Sequence, residues 1–337
     1  MKWFTKKEFD GRYEVKLIRN FRKILRRKHL ESCELLKTNT LVGFSVLAVI
    51  IYVIGVIFFD VVITKVGIRK VLTSYSIAKN SLLYQEIFDK IASMLAVYDV
   101  EVQNQPLKFV RLGRDNDGGY VVPVAALELS DALMGYGIGD DISFERDFSQ
   151  RFDKPSFGFD CGVQNIETGD SRCHFFSECI GTSKYLFSNQ VSSGHISTFS
   201  NQLQRMGLIG KKIFVKMDIE GAEFDVIDDI LSHVKNITGI VLEIHISNRN
   251  PKRALETLSS INDHFILVHL HGNNFSNSYF KTRYSSHSIP EVLELTYINK
   301  NLLSSYKISK NQKHPHPIDQ RDCINIPECE FEIIPMD

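Results

Sequence analysis

The period of the apolar residues changes between Ile213 and Leu231, and this change constrains the fold more than any other feature of the chain. Ile213, Phe214, Val215 and Met217 form a short β-prone run, long enough for one buried strand. Asp218 closes the run, and Gly221 lets the backbone turn. From Ala222 the apolar residues Val226, Ile227, Ile230 and Leu231 fall on one helical face. The stretch therefore predicts a strand, an acidic turn and a helix. In an open α/β sheet, ligands sit beyond the carboxyl ends of the strands, where this turn lies. Asp218, Glu220 and Glu223 would crowd that edge. Acids in a first helical turn also complement the helix dipole, which is the plainer account of Glu223.

Other segments repeat the alternation. Short strands are expected at Ala132–Met134, at Phe157–Asp160, and at Cys173–Ser177 as a third. A helix is expected to open at Gly194–Thr198 and run through Leu203 to Met206. Ile240–Ile246 reads as a fifth strand, Arg253–Asn262 as a helix, and Phe265–Asn274 as a sixth strand. Strands alternating with helical segments predict an α/β, doubly wound, mostly parallel, Rossmann-like sheet.

The amino-terminal third is different. Leu41–Phe59 is a run of 19 residues without charge or proline, extended past Asp60 by Val61–Ile63. At about 1.5 Å per residue it matches the ~30 Å apolar core of a bilayer. We expect a single transmembrane helix over 41–64, preceded by a basic segment (1–40), followed by a helical stalk (65–100) and by one domain over 101–337. The whole chain has zero formal net charge, but residues 1–40 hold 12 Lys/Arg against 5 Asp/Glu, a net of +7 that leaves −7 for the rest. A mildly acidic body argues against nucleic acid as its partner, and a basic head suits a membrane surface. Six Lys/Arg lie in 21–40 against four in 60–79. This favours a cytoplasmic N terminus on a single-pass membrane protein. The large domain would then lie across the membrane, away from a cofactor made in the cytosol.

Six cysteines occur, none in a Cys-x-x-Cys pattern, which argues against a zinc knuckle or thioredoxin motif. Cys173/Cys179 and Cys323/Cys329 could pair in an oxidising compartment, and free buried thiols fit equally. The tail from His314-Pro315-His316-Pro317 to Pro335 carries prolines and is expected to be extended and able to pack back on the domain, with a metal tract at His-Pro-His-Pro the weaker reading.

Three groups point to chemistry. Gly135, Gly137 and Gly139 follow the first short strand, where backbone must approach a ligand closely. Asp140 stands where the dinucleotide pattern G-x-G-x-x-G needs its third glycine, so the spacing suits the nucleoside turn of S-adenosylmethionine (SAM) methyltransferases better than that of dehydrogenases. Asp160, 21 residues after Gly139 at a strand end, is placed to accept both ribose hydroxyls, although a turn role is the simpler one. Glu243 with His245, and His269 with His271, are i,i+2 pairs on strands and share faces near the same rim as Asp218. Histidine there suits a general base, and Asp218, Glu243 and a histidine could instead hold a divalent cation. No tight metal motif appears, so a cation is not favoured. Asp117-Gly118-Gly119 marks a tight hairpin turn, expected near the ligand.

These residues resemble a known family. Lys216-Met217-Asp218-Ile219-Glu220-Gly221-Ala222-Glu223 is similar to the signature of FkbM-type SAM-dependent methyltransferases. Asp117–Tyr120, Gly135–Glu145, Val241–His245 and His271–Asn274 resemble the branch that includes the methyltransferase-like 24 proteins. The resemblance spans roughly residues 105–330. It implies a class I methyltransferase fold, SAM as cofactor and O-methylation of a hydroxyl. Gly135, Gly137, Gly139 and Asp160 would hold SAM, with Asp218 and Glu220 beside the methyl group. With His245 as base, the sequence as a whole predicts a membrane-anchored SAM-dependent methyltransferase acting on a glycan or glycolipid. A non-catalytic SAM- or nucleoside-binding protein and a nucleotide-dependent oxidoreductase are the alternatives.

Overall fold

The computed structural model describes residues 84–182, 195–247, 249–276 and 278–335. The basic segment (1–40), the expected transmembrane helix (41–64) and the first part of the expected stalk lie outside the described residues. Among the described residues, no helix is long and apolar enough to cross a membrane.

A seven-stranded sheet organises the domain. Its strands are β1 (Ala132–Tyr136), β2 (Ser156–Phe159), β3 (Cys173–Phe176), β4 (Ile213–Met217), β5 (Ile237–His245), β6 (Phe265–Gly272) and β7 (Val292–Asn299). They lie side by side in the order β6-β7-β5-β4-β1-β2-β3. The β5/β4, β4/β1, β1/β2 and β2/β3 pairs are parallel, and β7 runs antiparallel to both β5 and β6. The sheet is thus mostly parallel and Rossmann-like, as the alternation of elements predicts. Chain order reverses between β1 and β4, and this is the switch point where such sheets open a crevice.

Both faces are covered, which is why the central strands read as unbroken apolar runs. Alternate residues of β4 serve opposite cores. Ile213, Val215 and Met217 pack against Leu203 of one helix (Phe199–Arg205), Val226, Ile227 and Ile230 of a second (Glu223–Leu231) and Leu258 and Ile261 of a third (Pro251–His264). Phe214 faces the other way, towards Leu112, Tyr120, Phe144 and Phe148. The chain reads Lys216 on that second face too, one pleat further on.

Several elements depart from expectation. Residues 84–93 are helical, and Ile87, Phe88, Ile91 and Leu95, expected in a stalk, are buried in the first core. The domain therefore begins well before residue 101. His195–Ser197 is a short strand paired in parallel with Glu178–Ile180, and the helix starts only at Phe199, where the Thr198 hydroxyl accepts the Asn201 N–H at 3.2 Å. The sequence reading left β7 out, although Val292–Asn299 fills the gap between β5 and β6. The tail is not merely extended: Lys313–His314 pairs with Phe331–Glu332, and Phe331 and Ile333 are buried.

The cysteine pairing also differs. Cys161 is bonded to Cys179, while Cys173, Cys323 and Cys329 are free. Cys173 starts β3 and is buried beneath Ile138 and Ile142, so Cys179 meets the exposed loop after β2 instead.

Candidate functional site

The glycine bend and the acidic turn meet at the switch point. The Asp218 N–H donates to the Tyr136 carbonyl at 3.0 Å, carrying the β1/β4 ladder one residue past the strands. Gly137 has φ +73°, and a Cβ on it would overlap the Asp218 carbonyl. Gly139 also has positive φ, at +55°, but no atom lies within 4 Å of where its Cβ would stand. Gly137 is thus required by its neighbour, whereas Gly139 leaves open space over the bend. Gly135 answers to a third neighbour, since Glu145 of the Ser143–Phe152 helix packs against its bare α-carbon.

Asp160 ends β2 and is joined to this bend. Its Oδ2 accepts the Gly139 N–H at 2.9 Å, and Oδ1 accepts the Gly162 N–H at 2.7 Å. Each carboxylate oxygen retains a second lone pair. Asp140 and Asp141 face Arg114, at 3.7 and 3.4 Å. Asp141 also accepts from the Ser143 N–H and hydroxyl at 3.0 and 2.8 Å. The hairpin turn at Asp117–Gly119 lies over the same place, as expected. Gly137, Gly139, Asp160 and this hairpin line a cavity of about 240 Å³ that also reaches Tyr120, Lys216, Asp218 and Glu220, whereas Gly135 does not line it.

Three cavity residues had no role in the sequence reading. Tyr120 is buried, and its hydroxyl donates to Asp218 Oδ2 at 3.0 Å. Burial and the Asp218 charge hold its phenol well above the ordinary range, so it stays a donor. Lys216 is buried too, with its ammonium 5.3 Å from the Tyr120 ring centre and 3.0 Å from the Gly137 carbonyl oxygen that accepts from it. Glu145 is 1% exposed, and its Oε1 makes no hydrogen bond. Burial pushes this carboxyl up to about 7, against the pull of Lys216. A lysine within an apolar strand and a glutamate in an amphipathic helix were the available signals.

Beside the cavity, Asp218, Glu220 and His245 come together with donor atoms within 4.8 Å of one another. His245 Nε2 lies 3.3 Å from Glu220 and 3.2 Å from Glu243, and Nδ1 lies 3.3 Å from Glu223. Burial opposes a charged imidazole here, but hydrogen bonds from Glu223 and Glu243 outweigh it and push His245 up to about 10. Burial also raises the Glu243 carboxyl, with the His245 hydrogen bond pulling it back. Of the two, the imidazole carries the proton, because three carboxylates answer it. A protonated imidazole accepts no further proton, so at neutral pH His245 does not fit the role of general base expected of it. The Asp218–Glu220–His245 trio has the donors for a divalent cation, but one of them, Glu220, has a side chain 86% exposed and solvated by water.

His269 and His271 stand at the same carboxyl edge, because β6 and β5 run in the same direction, but β7 lies between their strand and β5. His269 meets Asp319 of the tail at 2.9 Å, and His271 meets Glu294 of β7 at 3.1 Å. His314 is buried and belongs to neither of the ligand clusters found among the described residues.

No family model and no curated protein matches the chain. Solved structures give distant likenesses. One, named as a hemolysin from Streptococcus thermophilus, has 9% identity and a TM-score of 0.29, covering 63% of this chain and 81% of its own. A riboflavin biosynthesis protein from Shewanella sp. PV-4 has 13% identity and a TM-score of 0.21, covering 52% and 78%. The plantazolicin methyltransferase BpumL in complex with SAH has 8% identity and a TM-score of 0.22, covering 66% and 89%. At these scores the likenesses carry no weight, and fold and site stand on their own geometry.

Proposed function

We propose that the domain is a SAM-dependent methyltransferase that O-methylates a hydroxyl of a glycan or glycolipid, anchored to a membrane by residues 41–64. One observation carries this reading: the glycine bend after β1, Asp160 after β2 and Asp218 after β4 converge on one cavity at the switch point. The residues fit the cofactor. The space over Gly139 admits a nucleoside, and the remaining lone pairs of Asp160 suit two ribose hydroxyls. Bound there, SAM would supply an electrophilic methyl group on sulfur.

The chain's own residues orient the acceptor and take its proton. The acceptor oxygen would take that methyl group, and the C–S electron pair would stay on sulfur. The hydroxyl proton passes to Asp218, whose carboxylate faces the cavity and is fixed by the Tyr120 hydroxyl. Glu220 lies beside it. His245 acts as a positioning charge, holding Glu220, Glu223 and Glu243 in place as an imidazolium. This arrangement does not favour a cation at the rim, since one would have to displace that proton.

The Cys161–Cys179 disulfide supports a domain on the oxidising side of the membrane, in accord with a cytoplasmic N terminus. Protection of the domain from protease in sealed vesicles tests this.

The decisive experiment incubates the full chain in detergent with methyl-labelled SAM and membrane glycan and glycolipid fractions. The expected result is label in an acceptor, lost in Asp218→Asn. SAM binding without product in any fraction would leave a binding protein. Binding of NAD in place of SAM would point to an oxidoreductase.

A further inference from the structure

A second cluster of buried ionisable groups lies behind the rim trio and shares Glu243 with it. Glu243 on β5 is registered opposite Glu294 on β7, and Glu294 opposite His271 on β6. These three form one rung across adjacent strands. Asp322 of the tail closes on the same rung. His271, Glu294 and Asp322 are 2%, 5% and 4% exposed. Like carboxylates directly opposite one another destabilise a sheet, and buried charge without a counter-charge costs more still. Among the described residues, neither Glu294 nor Asp322 meets a lysine or an arginine, and His271 is the one basic group paired with them.

The donors are placed for a shared ion. His271 Nδ1 lies 3.1 Å from Glu294 Oε2 and 4.0 Å from Asp322 Oδ2, and one donor atom from each residue falls within 4.8 Å of the others. Ligands at about 2.1 Å from one ion stand no more than about 4.2 Å apart, so both imidazole distances suit a common centre. The other ring nitrogen gives an independent indication. His271 Nε2 is buried and faces Glu328 Oε1 at 3.4 Å. A histidine that ligates through one nitrogen characteristically turns its other N–H towards a carboxylate. The loop that brings Asp322 is fastened by Asn274, whose side chain accepts from the Cys323 N–H at 2.7 Å and donates to the Cys323 and Ile326 carbonyls at 2.9 and 3.0 Å.

We infer that His271, Glu294 and Asp322 bind a divalent first-row cation, Mn2+ or Zn2+, that clamps the carboxy-terminal tail to the sheet. A mixed imidazole and carboxylate set favours these ions over Mg2+ and Ca2+. The site differs from the rim trio of Asp218, Glu220 and His245, where water solvates the outermost acid.

The test measures metal in the full chain purified in detergent without chelator. About one Mn2+ or Zn2+ per chain is expected after gel filtration, retained in His245→Ala and lost in Glu294→Gln and in Asp322→Asn. Chelation should lower Tm by roughly 5–10 °C, with recovery on adding back Mn2+ or Zn2+ alone. A wild-type chain that holds no metal, and whose Tm ignores both chelator and added ion, would overturn the inference. So would metal that is lost in His245→Ala yet kept in Glu294→Gln. Neither result bears on SAM binding, so this proposal and the methyltransferase reading fail separately.

Discussion

The carbonyl of Asp218 occupies the place where residue 137 would carry a Cβ, so the tips of β1 and β4 are in direct backbone contact. Gly137→Ala would add a Cβ against backbone and a strained φ of +73° together, whereas Gly139→Ala would add only the strain of φ +55°. The first should lose more than about 2 kcal/mol of stability and the second about 1 kcal/mol. Urea midpoints of the two variants check this. Equal, small losses would mean that the tips are not packed as described.

Asp160 joins the bend to the space above it. Asp160→Ala removes a charged acceptor of the Gly139 and Gly162 N–H groups and of any ribose hydroxyl. SAM affinity should fall by on the order of 2–3 kcal/mol in isothermal titration. Unchanged affinity would reject the ribose role.

His245 makes stability depend on pH. Its folded pKa, about 10, is above the unfolded value near 6.5. Its contribution is therefore fully present below about 6.5 and lost as pH rises through about 10. Burial raises Glu243 as well, so its contribution also declines with rising pH. Melting temperatures between pH 6 and pH 10 should fall in the wild type and fall less in His245→Gln. A parallel fall in both would mean that other groups set the slope.

Among the cysteines of the described residues, peptide mapping without reductant should find the Cys161–Cys179 linkage and free thiols at Cys173, Cys323 and Cys329. The linkage closes a loop of 18 residues, so a Cys161→Ser/Cys179→Ser pair should lose roughly 3 kcal/mol. A Cys173–Cys179 peptide would contradict the placement of β3.

The strand–turn–helix at 213–231 was legible because its apolar period changes from two to 3.6 within a few residues. The glycine bend, Asp160, Asp218 and Glu220 were legible because they end strands, and strand ends share a rim. His245 was correctly placed at that rim, but its charge state depends on Glu223, a helix residue that packing alone brings beneath it. Glu145 over Gly135 and Lys216 under Tyr120 were hidden for the same reason. Val292–Asn299 does alternate, with Leu293, Leu295 and Tyr297 on one face and Glu294 and Thr296 on the other, so its existence as a strand was legible and was missed. Its place between β5 and β6 is a tertiary fact. That one missed strand also explains why His269 and His271, at the same carboxyl edge, stand one strand away from His245.

β7 has a consequence for biogenesis. The strand that joins β5 to β6 ends at Asn299 of 337 residues, so both neighbours must wait, with open edges, until most of the polypeptide has been synthesised. A nascent chain halted before that point exposes two hydrogen-bonding margins at once. A chain cut short before Val292 should therefore aggregate rather than persist as a shortened domain.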